Sequence, residues 1–265
     1  MSHAGKYEAV LRQTLLTSLV YGRDLVVRGT FTAVVLLVFA QLWTTTYEAV
    51  GGGLVDGFTL RDIVWYLVLT ETITLSAPRV SLKIDQEVKS GDLAYVLTKP
   101  YNYVLYHLAG YWGEAVVRLP LNFGIGGAVA LLSVGPPALT APGIVAAALT
   151  AALGLALNFA IEAAIGLAAF WFEDTQPFFW IYQKLSFTIG GLFIPLDLFP
   201  GLLGTVARWL PFAAVTYAPA RLFVLFSPDA FVSLLALQLG WLLVLGALLA
   251  VTYSRAVGRV SIHGG

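Results

Sequence analysis

Residues 79–100 have the sequence Arg79-Val-Ser-Leu-Lys-Ile-Asp-Gln-Glu-Val-Lys-Ser-Gly-Asp-Leu-Ala-Tyr-Val-Leu-Thr-Lys-Pro100. Of the 15 basic and 15 acidic residues in the chain, seven fall in this charged segment. Apolar stretches long enough to cross a bilayer, which takes about 20 residues, lie on both sides of it. This arrangement predicts an all-α integral membrane protein whose charged loop meets a water-soluble partner.

The composition supports a lipid environment. Of the 265 residues, 58% are hydrophobic and 11% are charged, whereas soluble domains carry about 25% charged residues. The absence of cysteine excludes disulfides, thiolate chemistry and cysteine-based metal sites. The net charge of zero gives no indication of a nucleic-acid partner, and none is predicted. Residues 1–28 lack a compact apolar core with a cleavage site, so we expect no cleavable signal peptide.

Six stretches are apolar and long enough to be transmembrane spans. They are Leu25–Thr45, Asp62–Val80, Val104–Val134, Pro142–Phe172, Phe178–Leu196 and Phe231–Tyr253. The third contains Pro120, which can kink a helix. If both termini are cytoplasmic, 11 basic residues lie in cytoplasmic segments and 3 in outer segments. The positive-inside rule therefore predicts a multi-pass protein of the cytoplasmic membrane with both termini and the charged segment inside.

Two further segments have distinctive patterns. Residues 6–20 place apolar side chains at helical spacing, which predicts an interfacial amphipathic helix on the inner leaflet. Residues 190–219 are apolar but broken by prolines, which predicts short re-entrant helices on the outer side, because proline breaks helices and freed backbone groups must be covered. The residues expected to shape this segment are Gly190, Gly191, Pro195, Pro200 and Pro211.

The order of these elements resembles that of an ABC-2 type transporter permease, the membrane subunit of an ATP-binding-cassette exporter. Ile84–Pro100 is similar to the family's pattern of Ile, a few polar residues, Gly-x-Leu and a Leu–basic–Pro ending. Gly191-Leu-Phe-Ile-Pro195, followed by Phe199-Pro200 and Leu210-Pro211, is the second matching stretch. The resemblance covers nearly the whole chain, as a single domain. It is greatest to the small bacterial permeases that occur in pairs with a separate ATPase.

The resemblance implies an exporter subunit that moves an amphipathic substrate, such as a drug, a peptide or a lipid. Its implied partners are two ATPase subunits, a second permease that is either a copy or a relative, and membrane lipid. The charged segment would then be the region that couples to the ATPase. The residues assigned to this coupling are Lys83, Asp85, Gln86, Glu87, Lys89, Gly91, Asp92 and Leu93.

The residues of the charged segment themselves predict two short helices. Val80, Ile84 and Val88 recur every fourth position and would form one apolar stripe. Gly91 suits the end of a helix and Asp92 the start of the next one. Two short helices at a sharp angle would make a rigid lever, whereas the alternative is a solvated loop with ordinary helix caps.

The chain has no pattern for ATP hydrolysis of its own. The only Gly-Lys pair, Gly5-Lys6, is followed by Tyr7 and so does not complete a phosphate-binding loop. The three histidines are isolated, which predicts no metal site. We therefore expect a subunit without catalytic residues or bound cofactors, with ATP and magnesium held by the partner ATPase.

Ionisable side chains within spans are costly in lipid and are candidates for function. The candidates for the translocation path are Glu71, Glu114, Arg118, Asn158 and Glu162. Glu114 and Arg118 are four residues apart and can form a structural ion pair. Glu71 and Glu162 could line the path or face a partner permease, and a carboxylate in the path would favour a cationic or zwitterionic substrate.

Two other functions fit a polytopic membrane protein. A secondary transporter driven by an ion gradient is expected to have internal repeats and matched broken spans, but this sequence has one broken segment and no repeat. An enzyme acting on lipid would need clustered Asp, His or Ser at a membrane face, and no such cluster is present in the sequence.

Overall fold

The computed structural model describes residues 3–20, 22–97, 99 and 101–263, which form helices and turns without a strand. The helices run in this order: His3–Val20 (α1), Gly22–Ala49 (α2), Leu60–Ser76 (α3), Val80–Ser90 (α4), Asp92–Leu97 (α5), Tyr103–Val134 (α6), Ala141–Leu167 (α7), Gln176–Ile189 (α8), Gly201–Trp209 (α9), Pro211–Val215 (α10), Tyr217–Val224 (α11) and Pro228–His263 (α12). Short 3₁₀ turns follow α7 at Ala168–Phe170 and precede α9 at Leu196–Leu198.

Four helices in the described part of the chain are long and apolar enough to cross a membrane. They are Gly29–Ala49, Tyr103–Val134, Ala141–Phe170 and Pro228–Gly258. They coincide with the first, third, fourth and sixth predicted spans, and the third continues unbroken through Pro120.

The other two predicted spans correspond to shorter helices. Helix α3 has 17 residues and α8 has 14, which at 1.5 Å per residue gives lengths of about 26 and 21 Å. Helix α3 ends before Pro78, where the residue that precedes a proline is pushed out of the helical region. Helix α8 ends at Gly190, and the next residue, Gly191, has a φ of 77°. The count of six spans therefore stays a prediction.

Helix α3 lies at the centre of one of two cores. It is buried along most of its length and packs against α2, α6 and α11. Its first turn is closed by a capping box, in which the Thr59 hydroxyl accepts from the Asp62 N–H and the Asp62 carboxylate accepts from the Thr59 N–H. The second core surrounds α7, which contacts α4, α10, α11 and α12.

Helix α1 covers the segment predicted to be amphipathic, and it packs along α6. A Cβ atom at Gly113 would lie 2.7 Å from the Leu11 carbonyl oxygen, so the two backbones approach closely there. The Tyr7 hydroxyl accepts from the N–H of Asn102 at 2.9 Å. Most of the apolar stripe therefore meets protein, although Leu19 is exposed. The position of α1 at a membrane surface stays a prediction.

The proline-broken stretch forms the three short helices α9, α10 and α11, which continue to Val224, beyond the predicted limit. The freed backbone carbonyls before α9 have donors from elsewhere in the chain. Tyr66 donates to the Gly191 carbonyl, Thr70 donates to Leu192 at 2.8 Å, and Thr216 donates to Gly190 at 3.0 Å. Protein therefore covers the break, as buried irregular backbone requires. Its position on the outer side of a membrane stays a prediction.

Candidate functional site

The charged segment is divided into two helices at Gly91. This glycine has a φ of 79° in the left-handed region, which ends α4. Asp92 is the first residue of α5, and its carboxylate accepts a hydrogen bond from the Ser90 hydroxyl at 2.7 Å. The chain therefore changes direction within one residue, between two helices that each have a well-defined end.

The apolar stripe of α4 faces α7. Val80 and Ile84 are buried, and Val88 is partly buried against the same core. The contact is closest at Gly166, where a Cβ atom would lie 2.7 Å from the Ile84 Cβ and 2.9 Å from the Ser81 carbonyl oxygen. Helix α4 therefore lies directly against the backbone of α7.

One carboxylate of α4 is bound to the turn between α7 and α8. Asp85 is buried and accepts from the Thr175 hydroxyl at 2.7 Å. Its other oxygen lies 2.8 Å from the Lys89 ammonium, which also lies 3.5 Å from Asp174. Asp85 was predicted as a coupling residue; its side chain is buried and bound to the turn after α7, and its part in coupling stays a prediction.

Two further side chains of α4 contact α6. Glu87 accepts from the Tyr103 hydroxyl at 2.6 Å and lies 3.1 Å from the His107 Nε2 atom. Burial alone would raise the pKa of Glu87, but the hydrogen bonds with His107 and Tyr103, together with the nearby charges of His107 and Lys83, lower that pKa overall. The Lys83 ammonium pairs with Glu114. Helix α4 is therefore attached to α6 and α7 and to the turn that follows α7.

The remaining face of the charged segment is exposed. We give the name docking face to Gln86, Lys89, Gly91, Asp92 and Tyr95; Leu82, Lys83 and Ser90 of the segment are exposed as well. Four of the docking-face residues were predicted as coupling residues, whereas the fifth, Tyr95, was missed although it is 68% exposed. Leu93, also predicted, is buried. The spacing of Leu93 and Val96 on α5 leaves Tyr95 on the opposite side, so the sequence contained the signal for it.

A cavity of about 380 Å³ lies between α2, α3, α7 and α8. It brings together three of the predicted path residues: Glu71, Asn158 and Glu162. Aromatic side chains form much of the remaining wall. These are Phe31, Phe179, Tyr182, Phe187 and Phe193.

Asn158 and Glu162 belong to one buried hydrogen-bond network. Asn158 accepts from the Tyr182 hydroxyl at 2.6 Å and donates to the Tyr111 hydroxyl at 3.1 Å. The Asn158 amide nitrogen lies 3.4 Å from Glu162 Oε1. Glu162 Oε2 lies 3.3 Å from the Ser81 N–H nitrogen and 3.2 Å from its hydroxyl. The two tyrosines were not predicted, because nothing in the local sequence places them near Asn158.

Glu71 differs from Glu162 in having no such network. Its side chain is 6% exposed, and no described residue donates a hydrogen bond to its carboxylate or forms an ion pair with it. The buried residues beside it on α3 include the hydroxyl side chains Thr70 and Thr72, neither of which donates to its carboxylate. A buried carboxylate without a partner is costly, and a cation in the cavity would reduce that cost. The basic residue among those that line the cavity is Arg79, whose guanidinium lies 5.5 Å from the centre of the Phe179 ring.

The other two predicted path residues are not among those that line the cavity. The Arg118 guanidinium donates to Glu114 at 2.6 Å, and Lys83 of α4 approaches the second oxygen of Glu114. The arrangement is that of a structural ion pair extended by one residue, and it attaches α4 to α6.

Among the described residues, no group of three or more His, Cys, Asp or Glu side chains could hold a metal ion. A family model described as ABC-2 family transporter protein matches residues 31–264, which include the charged segment, the cavity and the broken segment. None of the curated proteins matches the sequence.

Proposed function

Because the chain belongs to the ABC-2 family of transporter proteins, we propose that it is the permease subunit of an ABC exporter. It forms the translocation path in the cytoplasmic membrane and moves an amphipathic substrate. Separate ATPase subunits supply the energy. One observation carries this proposal: the charged segment forms two short helices that are attached to α6, to α7 and to the turn after α7, and that leave the docking face exposed.

The docking face is the surface proposed to enter a groove of the ATPase. Since α4 is attached on three sides, a push on this face would move α4, α6 and α7 together instead of bending a loop. Two ATPase subunits and a second permease complete the transporter, and ATP and magnesium lie on the ATPase. The positive-inside pattern supports placing both termini and the docking face in the cytoplasm.

The cavity beside α3 is the proposed substrate path. Its aromatic wall suits the apolar part of an amphipathic compound, and the unpartnered carboxylate of Glu71 suits a cationic group. Drugs, peptides and lipids can all combine these two features. A transporter driven by an ion gradient would need no surface for an ATPase. The two attached helices of the charged segment and their exposed docking face therefore favour an ATP-driven transporter over a gradient-driven one.

The first test is purification of this chain from its native membrane. We expect it to bring down an ABC ATPase, to hydrolyse ATP as a complex, and to have no ATPase activity when stripped of that partner. A Tyr95→Ala, Asp92→Lys double variant should retain less than about a tenth of the bound ATPase, because docking contacts of this kind are each worth about 1–2 kcal/mol.

The matched control is Leu54→Ala. Leu54 is also 68% exposed, but it lies in the turn before α3, at the opposite end of that helix from α4. This variant should bind the ATPase as the unchanged chain does. ATP hydrolysis by the stripped chain, or full ATPase binding by the double variant, would contradict the proposal.

A Glu71→Gln variant tests the cavity as a site for cations. Tetraphenylphosphonium and tetraphenylborate have nearly the same shape and opposite charge. We expect the variant to bind the cation about tenfold more weakly, a loss of about 1.4 kcal/mol, and to bind the anion no more weakly than before. The affinities can be measured with ion-selective electrodes on the purified complex.

Glu48→Gln removes the same charge from an exposed position at the end of α2 and should leave both affinities unchanged. Equal affinity of the original chain and Glu71→Gln for the cation would place Glu71 in the scaffold instead of the path.

A further inference from the structure

Glu162 is shared between the cavity and the start of α4. One of its oxygens approaches the Ser81 N–H and hydroxyl, in the first turn of α4. The other lies near Asn158, and the side chain lines the cavity. A single buried carboxylate therefore touches both the lever that carries the docking face and the proposed substrate path.

Helix α4 has no capping side chain of its own at its N-terminus, and Glu162 takes that role. Helix N-termini have backbone N–H groups without partners inside the helix, and a side-chain oxygen can accept from them. Arg79 occupies the N-cap position and makes no side-chain capping bond, and the first turn of α4 has no acidic residue. The carboxylate that caps α4 comes instead from α7, about 80 residues later in the chain.

The packing around this contact leaves little freedom for α4 to slip. One turn beyond Glu162 on α7, Gly166 allows the Ile84 side chain and the Ser81 carbonyl to approach the α7 backbone. On the other side, Tyr182 of α8 holds Asn158, which in turn lies beside Glu162. A displacement of the first turn of α4 would therefore move the Glu162 side chain. Through Asn158, it would also shift the α8 wall of the cavity.

We propose that Glu162 is a positioning residue that transmits the movement of α4 to the cavity. The inference rests on the proposed function, since it takes the ATPase to be what moves α4. We attribute the transmission to the contact between the Glu162 side chain and the first turn of α4. The negative charge that Glu162 adds to the cavity is not required for it.

The test uses the absence of cysteine from the chain. A Ser186→Cys substitution places one thiol on the α8 wall of the cavity. In the purified complex with its ATPase, trapping nucleotide with vanadate should change the rate of maleimide labelling of this chain by about fivefold or more. Labelling is followed on this chain by its mass, so thiols of the partner do not interfere.

Two substitutions of Glu162 separate contact from charge. Glu162→Asp keeps the charge but is one methylene shorter and cannot reach Ser81 from the same backbone position. We expect it to reduce the vanadate effect to less than about twofold. Glu162→Gln loses the charge but keeps one oxygen that can accept from Ser81. Its amide nitrogen would face Asn158, whose side-chain amide can turn over to accept from it. We therefore expect this variant to retain most of the effect. Glu48→Asp is the matched control, since it shortens an exposed carboxylate at the end of α2 that lies outside the cavity lining and outside α4.

A second measurement reports on the contact directly and needs no partner. Hydrogen exchange of the amides in residues 80–84 should be faster in Glu162→Asp than in Glu162→Gln or the original chain. The inference is wrong if Glu162→Asp keeps the full vanadate effect, or if Glu162→Gln loses it. A parent chain whose labelling does not respond to nucleotide at all would contradict the proposed function, whatever the exchange experiment gives.

Discussion

A Gly166→Val variant is expected to be strongly destabilised and to lose its bound ATPase. A Cβ atom at this position would lie 2.7 Å from the Ile84 Cβ and 2.9 Å from the Ser81 carbonyl oxygen. One of these is backbone, so a side-chain rotation cannot relieve the overlap, and α4 must move away from α7. Overpacking of this kind costs about 1–3 kcal/mol, and here the displaced element carries the docking face.

Gly124→Val is the control for this variant. Gly124 is also in a long helix, α6, but no atom lies within 4 Å of the Cβ position. The substitution is therefore expected to leave the midpoint of thermal unfolding and the amount of ATPase retained on purification close to those of the original chain. If both valine variants had the same unfolding midpoint and retained the same amount of ATPase, α4 and α7 could not be in close backbone contact at Gly166.

The second large effect is expected at Gly154, in the middle of α7. A Cβ atom there would overlap the carbonyl oxygen of Val215 and lie 3.3 Å from its Cα atom. Helix α10 cannot step aside freely, because the Gln238 amide of α12 donates to Ala214 of α10 and to Thr150 of α7, each at 2.8 Å. Gly154→Val should therefore cost at least as much as Gly166→Val, about 1–3 kcal/mol or more.

Size-exclusion chromatography after heating measures this effect as a fall in the midpoint of unfolding. Gly240→Val, in α12, provides the comparison, since no atom lies within 4 Å of its Cβ position. The two destabilised variants should also differ in which part of the protein is disturbed. Gly154→Val disturbs the broken segment and should lower the yield of folded protein, whereas Gly166→Val acts at α4. A Gly154→Val chain as heat-resistant as Gly240→Val would contradict the close packing of α7 and α10.

The family was predictable from the sequence, and the match over residues 31–264 confirms it. The prediction succeeded because the charged segment and the broken segment have local patterns: Gly91 and Asp92 between two helical stripes, and prolines that begin short helices. Glu114 and Arg118 were also predictable as a pair, since four residues is one helical turn, and their side chains lie 2.6 Å apart.

Contacts between distant residues were not predictable in the same way. Asp85 was expected to face a partner, but it is bound by Thr175, which is 90 residues away in the chain. Likewise, the pairing of Glu162 with Ser81 depends on how α4 packs against α7, and no periodicity within either helix specifies it. The six-span count remains a prediction for a related reason, since α3 and α8 are apolar but short.

The hydrogen bonds that cover the broken segment have a consequence for biosynthesis. The carbonyls of Gly191 and Leu192 accept from Tyr66 and Thr70 of α3, more than 120 residues earlier in the chain. The ribosome therefore synthesises the donor residues of α3 long before it synthesises the acceptor carbonyls of the broken segment. The carboxy-terminal half made alone would have those carbonyls without these donors. The order of synthesis thus makes the donors of α3 available before the carbonyls that need them.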